Sequence, residues 1–422
     1  MKKLFCMVTI FVSVLAIGSG ATTLAKSGLK PIIFGASLPL GDHTGVEAKR
    51  AAILASEEIN KQGGIKLPDG MHPLKLEIMD TRDLEPGVPV SECLLVLERL
   101  ILQKKVDFIS NGPERSEAFL AAMDLVSRYK KIMLVSAAYA PRVKSKIAKD
   151  PTGKYKYIWD TRNDARTDIM HVIPLFKKFK SERGWNKVYV MVQDVAHTRA
   201  AGEAIKKVLG GMGWEVLGLE RYPTGSTDFS LGLLEAKKKG ADLLYLSFEM
   251  PQVSILMRQW HELKVPAFPM GLMTAASDPR FWEISKGGIE YAVCNMFMAG
   301  NGPSALPEAT RFIKAFKDRW GIEPGTVTGV ENYTNLWILK DAIERAGTID
   351  SDAVCKALLT TDMKAPYGRV RFDPKTHQIL ITDDPNTGAV TDWIQWQKPG
   401  KRMCVWPPAG AMAEIQFPAW MK

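Results

Sequence analysis

The chain has 422 residues, of which 46% are hydrophobic and 24% charged, and this composition excludes a disordered, collagen-like or disulfide-scaffold protein. There are 56 Lys and Arg against 46 Asp and Glu, which gives a formal net charge of +10. The basic residues are spread along the chain without a clustered arm, zinc-finger spacing or aromatic-basic motif, so the charge does not indicate nucleic-acid binding. The length suffices for two or three domains.

The N-terminus has the layout of a secretory signal peptide. Residues 1–3 are a short basic start, and the apolar run 4–17 is shorter than the roughly 20 residues needed to span a bilayer. Small residues follow, and the sequence Thr-Leu-Ala at 23–25 resembles a cleavage site. We therefore predict a cleaved signal peptide over 1–25 and a periplasmic mature protein.

From residue 30 onward, short apolar strands alternate with amphipathic helices. Between the first strand and helix lies a predicted loop, 39–45. The first series has predicted strands at 30–36, 74–80, 106–110 and 132–136, and predicted helices at 47–61, 93–103 and 118–129.

A second series of the same kind starts after Trp159. Two such series predict an α/β protein with two lobes, each a parallel sheet with helices on both faces. Ligands of open α/β sheets bind beyond the carboxyl ends of the strands, so the residues directly after each strand are the informative ones. The predicted strands are 187–192, 215–219 and 242–247, the helices 169–181, 200–212, 231–239 and 253–263, followed by helices 308–320, 330–346 and 351–359, strands 367–373 and 391–396, and an irregular tail after 399.

No motif for catalysis stands out. The sequence contains no phosphate-binding P-loop, zinc-protease helix motif or nucleophile elbow, and its six histidines lack metal-ligand spacing. We therefore predict no enzyme, no metal and no cofactor. An exported two-lobe protein of this kind is typical of a binding protein whose lobes close on a ligand.

Four cysteines follow the predicted signal peptide, far apart and without a C-x-x-C pair. An exported protein can form disulfides, but the sequence does not assign their pairing. We favour buried free thiols at these positions, Cys93, Cys294, Cys355 and Cys404.

The order and spacing of short motifs resemble those of the type I periplasmic solute-binding proteins of ABC importers, in the Leu/Ile/Val-binding and amide- or aromatic-acid-binding branch. Each motif alone is weak, but together they extend over nearly the whole mature chain. They are FGASLPL (34–40), EEINKQGGI (57–65), ISNGPERS (109–116), MLVSAA (133–138), DFS (228–230), GADLLY (240–245), DAIERAG (341–347) and GRVRFD (368–373).

This resemblance implies two Rossmann-like lobes with parallel sheets, joined by a hinge of three crossovers. Lobe one would comprise 27–159 and 276–388, and lobe two 160–275 and 389–422. A small-molecule ligand would bind between the lobes of a monomer, and the transmembrane permease subunits of an ABC importer would recognise the closed form. Two alternatives stay open: a ligand-sensing subunit for a chemoreceptor or kinase, and an exported α/β hydrolase.

The resemblance also implies ligand-contacting positions after the strands. Ser116 falls where the family has a hydroxyl for the ligand carboxylate, near a helix start that suits an anion, although a plain N-cap serine fits equally. Arg115 would either pair with a carboxylate or point to solvent, and His43 and Thr44 would either contact ligand or form a solvated turn. The full predicted set is His43, Thr44, Arg115, Ser116, Ala138, Tyr139, His197, Thr198, Phe248, Glu249, Met273 and Thr274.

Two positions depart from the amino-acid-binding pattern. Tyr139 stands where such relatives have Thr, and Met273 stands where they have an acidic residue for the ligand ammonium. A thioether does not neutralise a cation, and an unpaired buried ammonium costs several kcal/mol. We therefore predict a carboxylate ligand with an apolar or aromatic body, unless Glu249 replaces the missing acid. Trp159 would stack on such a ligand or pack at the hinge, and we favour the hinge.

Overall fold

The computed structural model describes residues 28–421 except 136, 140, 141, 164, 327, 398 and 399. The predicted signal peptide lies outside the described residues. The strands are β1 Ile32–Leu38, β2 Ile65–Leu67, β3 Gly70–His72, β4 Leu74–Asp80, β5 Phe108–Asn111, β6 Met133–Val135, β7 Ile158–Asp160, β8 Lys187–Gln193, β9 Glu215–Tyr222, β10 Leu243–Phe248, β11 Phe268–Met273, β12 Val293–Asn295, β13 Met363–Ala365, β14 Gly368–Val370, β15 Trp393–Gln397 and β16 Lys401–Trp406.

The helices lie between these strands and after β12, and a 3-10 turn covers Thr274–Ser277. None of the described helices has the length and apolar content to cross a membrane. The helices are α1 His43–Lys61, α2 Val90–Leu102, α3 Ser116–Arg128, α4 Arg142–Ala148, α5 Ala165–Arg183, α6 Ala196–Gly211, α7 Ser230–Lys238, α8 Val253–Glu262, α9 Phe281–Ile284, α10 Pro307–Trp320, α11 Gly329–Ala346 and α12 Ser351–Leu358.

Two large sheets define two lobes. The sheet of lobe one has the strand order β4-β1-β5-β6-β7, and all its pairings are parallel. The sheet of lobe two has the order β16-β15-β12-β11-β10-β8-β9; the pairings among β8 to β12 are parallel, whereas β15 runs antiparallel to β12 and β16 antiparallel to β15. The predicted α/β class with parallel sheets is confirmed.

The chain passes between the lobes three times. It leaves the first sheet after Asp160 and the second sheet after Asn295. Helices α10, α11 and α12 then share one hydrophobic core with α1 and the first sheet, and the chain returns to the second sheet at Trp393. The three crossovers agree with the prediction, but one boundary differs. We assigned 276–388 to lobe one, whereas β12 pairs with β11 in the sheet of lobe two.

Local chemistry explains where other predictions were wrong. Helix α1 begins at His43 rather than at 47, because the Asp42 carboxylate accepts a hydrogen bond from the Thr44 amide at 2.8 Å and caps the helix. The predicted irregular tail contains β16, which forms an edge hairpin with β15. The predicted strand 367–373 shortens to β14, which pairs with β13.

A glycine allows the strands of lobe two to reach the cleft side by side. Gly271 in β11 has φ +146°, and a Cβ there would lie 2.0 Å from the carbonyl oxygen of Leu246 in β10. Only glycine tolerates that backbone conformation so close to a neighbouring strand. The pairing places Phe248 beside Met273 at the carboxyl ends of the two strands.

Candidate functional site

Loops that follow parallel strands of both lobes meet in one place. Tyr139 follows β6 of lobe one, and His197 lies in the first turn of α6, shortly after β8 of lobe two. Their rings lie edge to face with centroids 4.9 Å apart. The contact lies where the rule for open α/β sheets places a ligand, beyond the carboxyl ends of the strands.

Polar and aromatic groups surround this contact. The Tyr139 hydroxyl donates a hydrogen bond to the Asp168 carboxyl at the start of α5 in lobe two. His197 Nδ1 lies 2.6 Å from Glu249 Oε1, so the acid after β10 fixes the imidazole. The ring of Phe297, in the second crossover, lies 6.2 Å from that of Tyr139. We call Tyr139, Asp168, His197, Glu249 and Phe297, together with Arg162, the inter-lobe cluster.

Arg162 supplies the cation of the cluster. It follows β7 in the first crossover and is only 2% exposed. Its guanidinium carbon lies 5.3 Å from the centroid of the Tyr139 ring and 5.0 Å from that of Phe297, within the range of cation–π attraction. Burial lowers its pKa, while the charges of Glu331, Glu114 and Asp160 oppose that effect.

The lobes are closed over the cluster. The cavity that remains beside Tyr139 and His197 has a volume of about 10 Å³, which is about enough for one water molecule. Asp168 is buried, and burial raises its pKa well above the ordinary value. Its side chain also accepts a hydrogen bond from Asn163 Nδ2, which donates to the Phe297 carbonyl at 3.0 Å. Residues of both lobes and two crossovers therefore share one hydrogen-bonded network.

A second polar group lies on the lobe-one side. Glu114, in the loop between β5 and α3, is 6% exposed, and its Oε2 lies 2.9 Å from Thr44 Oγ1. Thr44 Oγ1 also donates to Asp42 Oδ1 at 2.6 Å. Burial raises the pKa of Glu114 to about 8. The hydrogen bond from His43, more than any other contact, lowers the pKa of Asp42. Asp42 is therefore the ionised partner of the two.

The predicted lobe-one residues divide into two groups. Thr44 and Tyr139 face the groups described above, whereas the His43 side chain is 66% exposed and lies 3.2 Å from Asp42. Arg115 Nη1 donates to the Val88 carbonyl at 3.0 Å, which directs the guanidinium towards the segment before α2. Ser116 is the half-buried first residue of α3, and Ala138 is buried in the core of lobe one.

The predicted lobe-two residues divide in the same way. His197 and Glu249 belong to the inter-lobe cluster, and Thr274 starts the 3-10 turn. Thr198 lies in the first turn of α6, and its hydroxyl hydrogen-bonds back to the carbonyls of Gln193 and Val195 before the helix. Phe248 and Met273 are 0% and 1% exposed and belong to the hydrophobic core of lobe two. Ligand contact by any of the twelve predicted residues stays a prediction.

Two further expectations concern Trp159 and the cysteines. The indole of Trp159 stacks on the His377 imidazole, with centroids 4.2 Å apart and an interplanar angle of 5°, and it is fully buried. Trp159 therefore packs in the hydrophobic core of lobe one, directly before the first crossover, and a role at the hinge stays a prediction. The four described cysteines are buried free thiols, as we expected.

Sequence reasoning missed Arg162, Asp168 and Glu114. Arg162 directly follows a buried strand, so the carboxyl-end rule applied to the crossover would have found it. Glu114 lies inside the motif ISNGPERS, from which we predicted the next two residues, Arg115 and Ser116, as ligand contacts instead. No pattern in the sequence singles out Asp168, because it lies within helix α5 and does not directly follow a strand.

Comparisons with known proteins give a consistent result. The profile of the family described as periplasmic binding protein matches residues 39–383. The leucine-, isoleucine-, valine-, threonine- and alanine-binding protein of Pseudomonas aeruginosa is 24% identical over 331 residues, which cover 78% of this chain and 81% of that protein.

Solved structures share the fold. A Silicibacter pomeroyi protein assigned to a branched-chain amino acid ABC transporter has a TM-score of 0.81 at 20% identity and covers 93% of this chain and 100% of its own. An R. palustris ABC-transporter solute-binding protein in complex with 4-hydroxybenzoate has a TM-score of 0.67 at 21% identity and covers 88% of this chain and 95% of its own. The chain therefore belongs to the periplasmic binding protein family, with the type I fold of the substrate-binding components of ABC transporters.

Proposed function

We propose that this chain captures a small organic carboxylate with an aromatic or apolar body between its lobes and delivers it to the permease of an ABC importer. The proposal depends on one observation above all: the buried guanidinium of Arg162 lies over the rings of Tyr139 and Phe297 at the meeting point of the lobes. A guanidinium pairs with a carboxylate through two parallel hydrogen bonds, and aromatic edges pack against an apolar body.

An α-amino acid ligand would need an anionic side chain to neutralise its ammonium, and the three candidate positions do not favour one. Met273 is buried in the core of lobe two, where its thioether offers no charge. Glu249 lies 2.6 Å from the His197 imidazole, so a ligand ammonium would have to compete for its oxygen. Burial raises the pKa of Asp168 and so disfavours the anion that would pair with a ligand ammonium. The 4-hydroxybenzoate complex of a protein with the same fold supports an aromatic acid.

A thermal-shift and calorimetric screen tests the proposal. Benzoate, 4-hydroxybenzoate, phenylacetate and mandelate are compared with benzamide, L-leucine and L-isoleucine. We expect at least one acid to bind, and a ligand at 100 times its Kd adds about 2.7 kcal/mol to stability. Benzamide should bind more weakly than benzoate, because it has no charge for Arg162. Binding of the amino acids in preference to every acid would reject the proposal.

A matched pair of variants tests the role of Arg162. Arg162→Met removes the cation at the lobe junction and should weaken acid binding at least tenfold. Arg183→Met is the control, since Arg183 also lies over a ring, with its guanidinium carbon 3.5 Å from the centroid of Phe417 on the outer side of lobe two. Equal losses in the two variants would show a general effect on folding instead of a ligand contact.

We also propose that the protein acts in the periplasm after removal of residues 1–25. The basic start and apolar run described above support this proposal, as does membership of a periplasmic family. Amino-terminal sequencing of the protein from a periplasmic extract should begin at Lys26. Recovery of the intact amino terminus in the cytoplasm would contradict it.

A further inference from the structure

We propose that the preferred ligand carries a hydroxyl group as well as its carboxylate, and that Glu114, as a neutral carboxylic acid, accepts the hydrogen bond from that hydroxyl. This inference rests on the proposed function, because it names a subclass of the same acids. It concerns a residue that our sequence reasoning passed over.

One carboxyl oxygen of Glu114 makes no hydrogen bond with the described residues. The side chain is 6% exposed, and Oε1 is buried without a hydrogen-bond partner among the described residues. Buried polar atoms are almost always paired in folded proteins, so an unpaired one calls for an explanation. Glu114 follows β5 at the carboxyl end of the lobe-one sheet, and it lies within electrostatic range of Arg162 in the inter-lobe cluster.

The contacts of Thr44 indicate which oxygen of Glu114 carries the proton. The Thr44 hydroxyl has a single proton but contacts two carboxyl groups, with Oγ1 2.6 Å from Asp42 Oδ1 and 2.9 Å from Glu114 Oε2. Asp42 is the ionised partner, because its hydrogen bond with His43 lowers its pKa. If Thr44 donates to Asp42, the contact with Glu114 requires a proton on Oε2 that Glu114 donates to Thr44.

A proton on Oε2 determines what the other oxygen of Glu114, Oε1, can bind. With the proton on Oε2, Oε1 is a carbonyl oxygen, which only accepts hydrogen bonds. A ligand carboxylate brings no proton and would not satisfy it, whereas a hydroxyl would. An ammonium would satisfy it as well, but the nearby Arg162 cation disfavours a second positive charge. A ligand with a carboxylate for Arg162 and a neutral hydroxyl donor for Glu114 Oε1 therefore fits both side chains.

Selectivity should follow from this arrangement. A site that is built to hydrogen-bond a substrate hydroxyl rejects the analogue without it strongly, because a buried polar atom is then left unpaired. We expect mandelate to bind at least tenfold more tightly than phenylacetate, or 4-hydroxybenzoate at least tenfold more tightly than benzoate. Phenylglycine, with an ammonium in place of the mandelate hydroxyl, should bind more weakly than mandelate.

Two variants at one position test the acceptor. Glu114→Gln reproduces the neutral acid, since its amide donates to Thr44 and its oxygen remains an acceptor, so the hydroxyl preference should persist. Glu114→Leu removes the acceptor, and the preference should fall to less than threefold. Unchanged preference in Glu114→Leu would overturn the inference.

A pH series provides a test that does not require the leucine variant to fold. The groups that act on Glu114 are Thr44, Asp42, Asp83 and Arg162, and burial is the main reason that its pKa rises to about 8. Mandelate binding to the wild type should weaken above pH 8, as Glu114 becomes an anion beside the ligand carboxylate. Glu114→Gln should lack this alkaline loss, and identical pH profiles for the two proteins would overturn the inference.

The outcomes separate this inference from the proposed function. If phenylacetate or benzoate binds as tightly as its hydroxylated partner, the inference is overturned and the proposed function stands. If phenylglycine or L-leucine binds more tightly than every acid, both are overturned. If no probe binds, both are likewise rejected.

Discussion

Replacing Glu331 by Gln should change how the stability of the protein depends on pH. Glu331 in α11 is 0% exposed, and its carboxyl oxygens lie 3.4 and 3.5 Å from Asn301 Nδ2. Burial raises its pKa from the ordinary 4.5 to about 8, although the charge of Arg162 opposes this. The folded protein therefore holds a proton that the unfolded chain releases above pH 4.5.

The sign and magnitude follow from linkage. An acid whose folded pKa is raised contributes stability that is complete below its unfolded pKa and is lost as the pH rises to its folded pKa. Between pH 5 and 8 the free energy of unfolding should fall by about 1.4 kcal/mol per pH unit from Glu331 alone. Over the range from 4.5 to about 8, this amounts to about 5 kcal/mol.

The assay is equilibrium urea unfolding of wild type and Glu331→Gln at pH 5, 6, 7 and 8. The free energy of unfolding of the variant, relative to that of the wild type, should rise by about 1.4 kcal/mol for each pH unit. His171, whose pKa burial lowers to about 4, contributes a change of the opposite sign below pH 6.5, but it is present in both proteins and cancels in the difference. Asp228→Asn is the control, because Asp228 is exposed and its hydrogen bonds with Ser230 lower its pKa. A pH-independent difference between wild type and Glu331→Gln would refute the reasoning.

Three further predictions concern other parts of the molecule. The four described cysteine thiols should resist a disulfide reagent at pH 8 in the native protein and react after unfolding, because burial raises the pKa of each; rapid labelling of native protein would contradict this. Arg402 of β16 links the lobes, with Nη1 2.8 Å from the Ser277 carbonyl and Nη2 3.1 Å from Glu323 Oε2. Arg402→Met should therefore weaken ligand binding about tenfold and enlarge the radius of gyration in X-ray scattering, whereas Arg280→Met at an exposed ion pair should change neither. Gly271→Ala should lower the melting temperature, since the added Cβ would clash with the backbone oxygen of Leu246. An unchanged melting temperature would contradict this.

The alternation of strands and helices made the two lobes predictable, because a buried parallel strand is a short apolar run wherever it occurs. Strands β8 and β10 fall close to their predicted positions for this reason. By contrast, β12 has three residues and no periodicity of its own, and it forms because β11 and β15 flank it. Likewise, β16 follows a Pro-Gly pair that suggested an irregular tail, and its pairing with β15 determines its conformation.

The site was predictable only in part, and the reason is the direction of side chains. The rule that ligands bind after strands found Tyr139, His197 and Glu249, which the structure brings together. The same rule does not say which of three consecutive loop residues points inward, so Arg115 and Ser116 were chosen where Glu114 is the buried one. Asp42 caps α1 and contacts Thr44, and Thr44 in turn contacts the buried Glu114. These contacts could not be predicted, because the sequence pattern placed the start of α1 too late.

The protonation of the buried acids determines what the inter-lobe cluster can bind. If Glu114 and Glu331 were both ionised, their charges would add to that of Asp160 near Arg162, and the site would favour a carboxylate less. Burial raises the pKa of both acids to about 8, so at neutral pH each is largely neutral and compensates the charge of Arg162 less than a carboxylate would. An anionic ligand that enters with its own hydroxyl donor would contact the guanidinium and would also supply the hydrogen bond that Glu114 Oε1 lacks among the described residues.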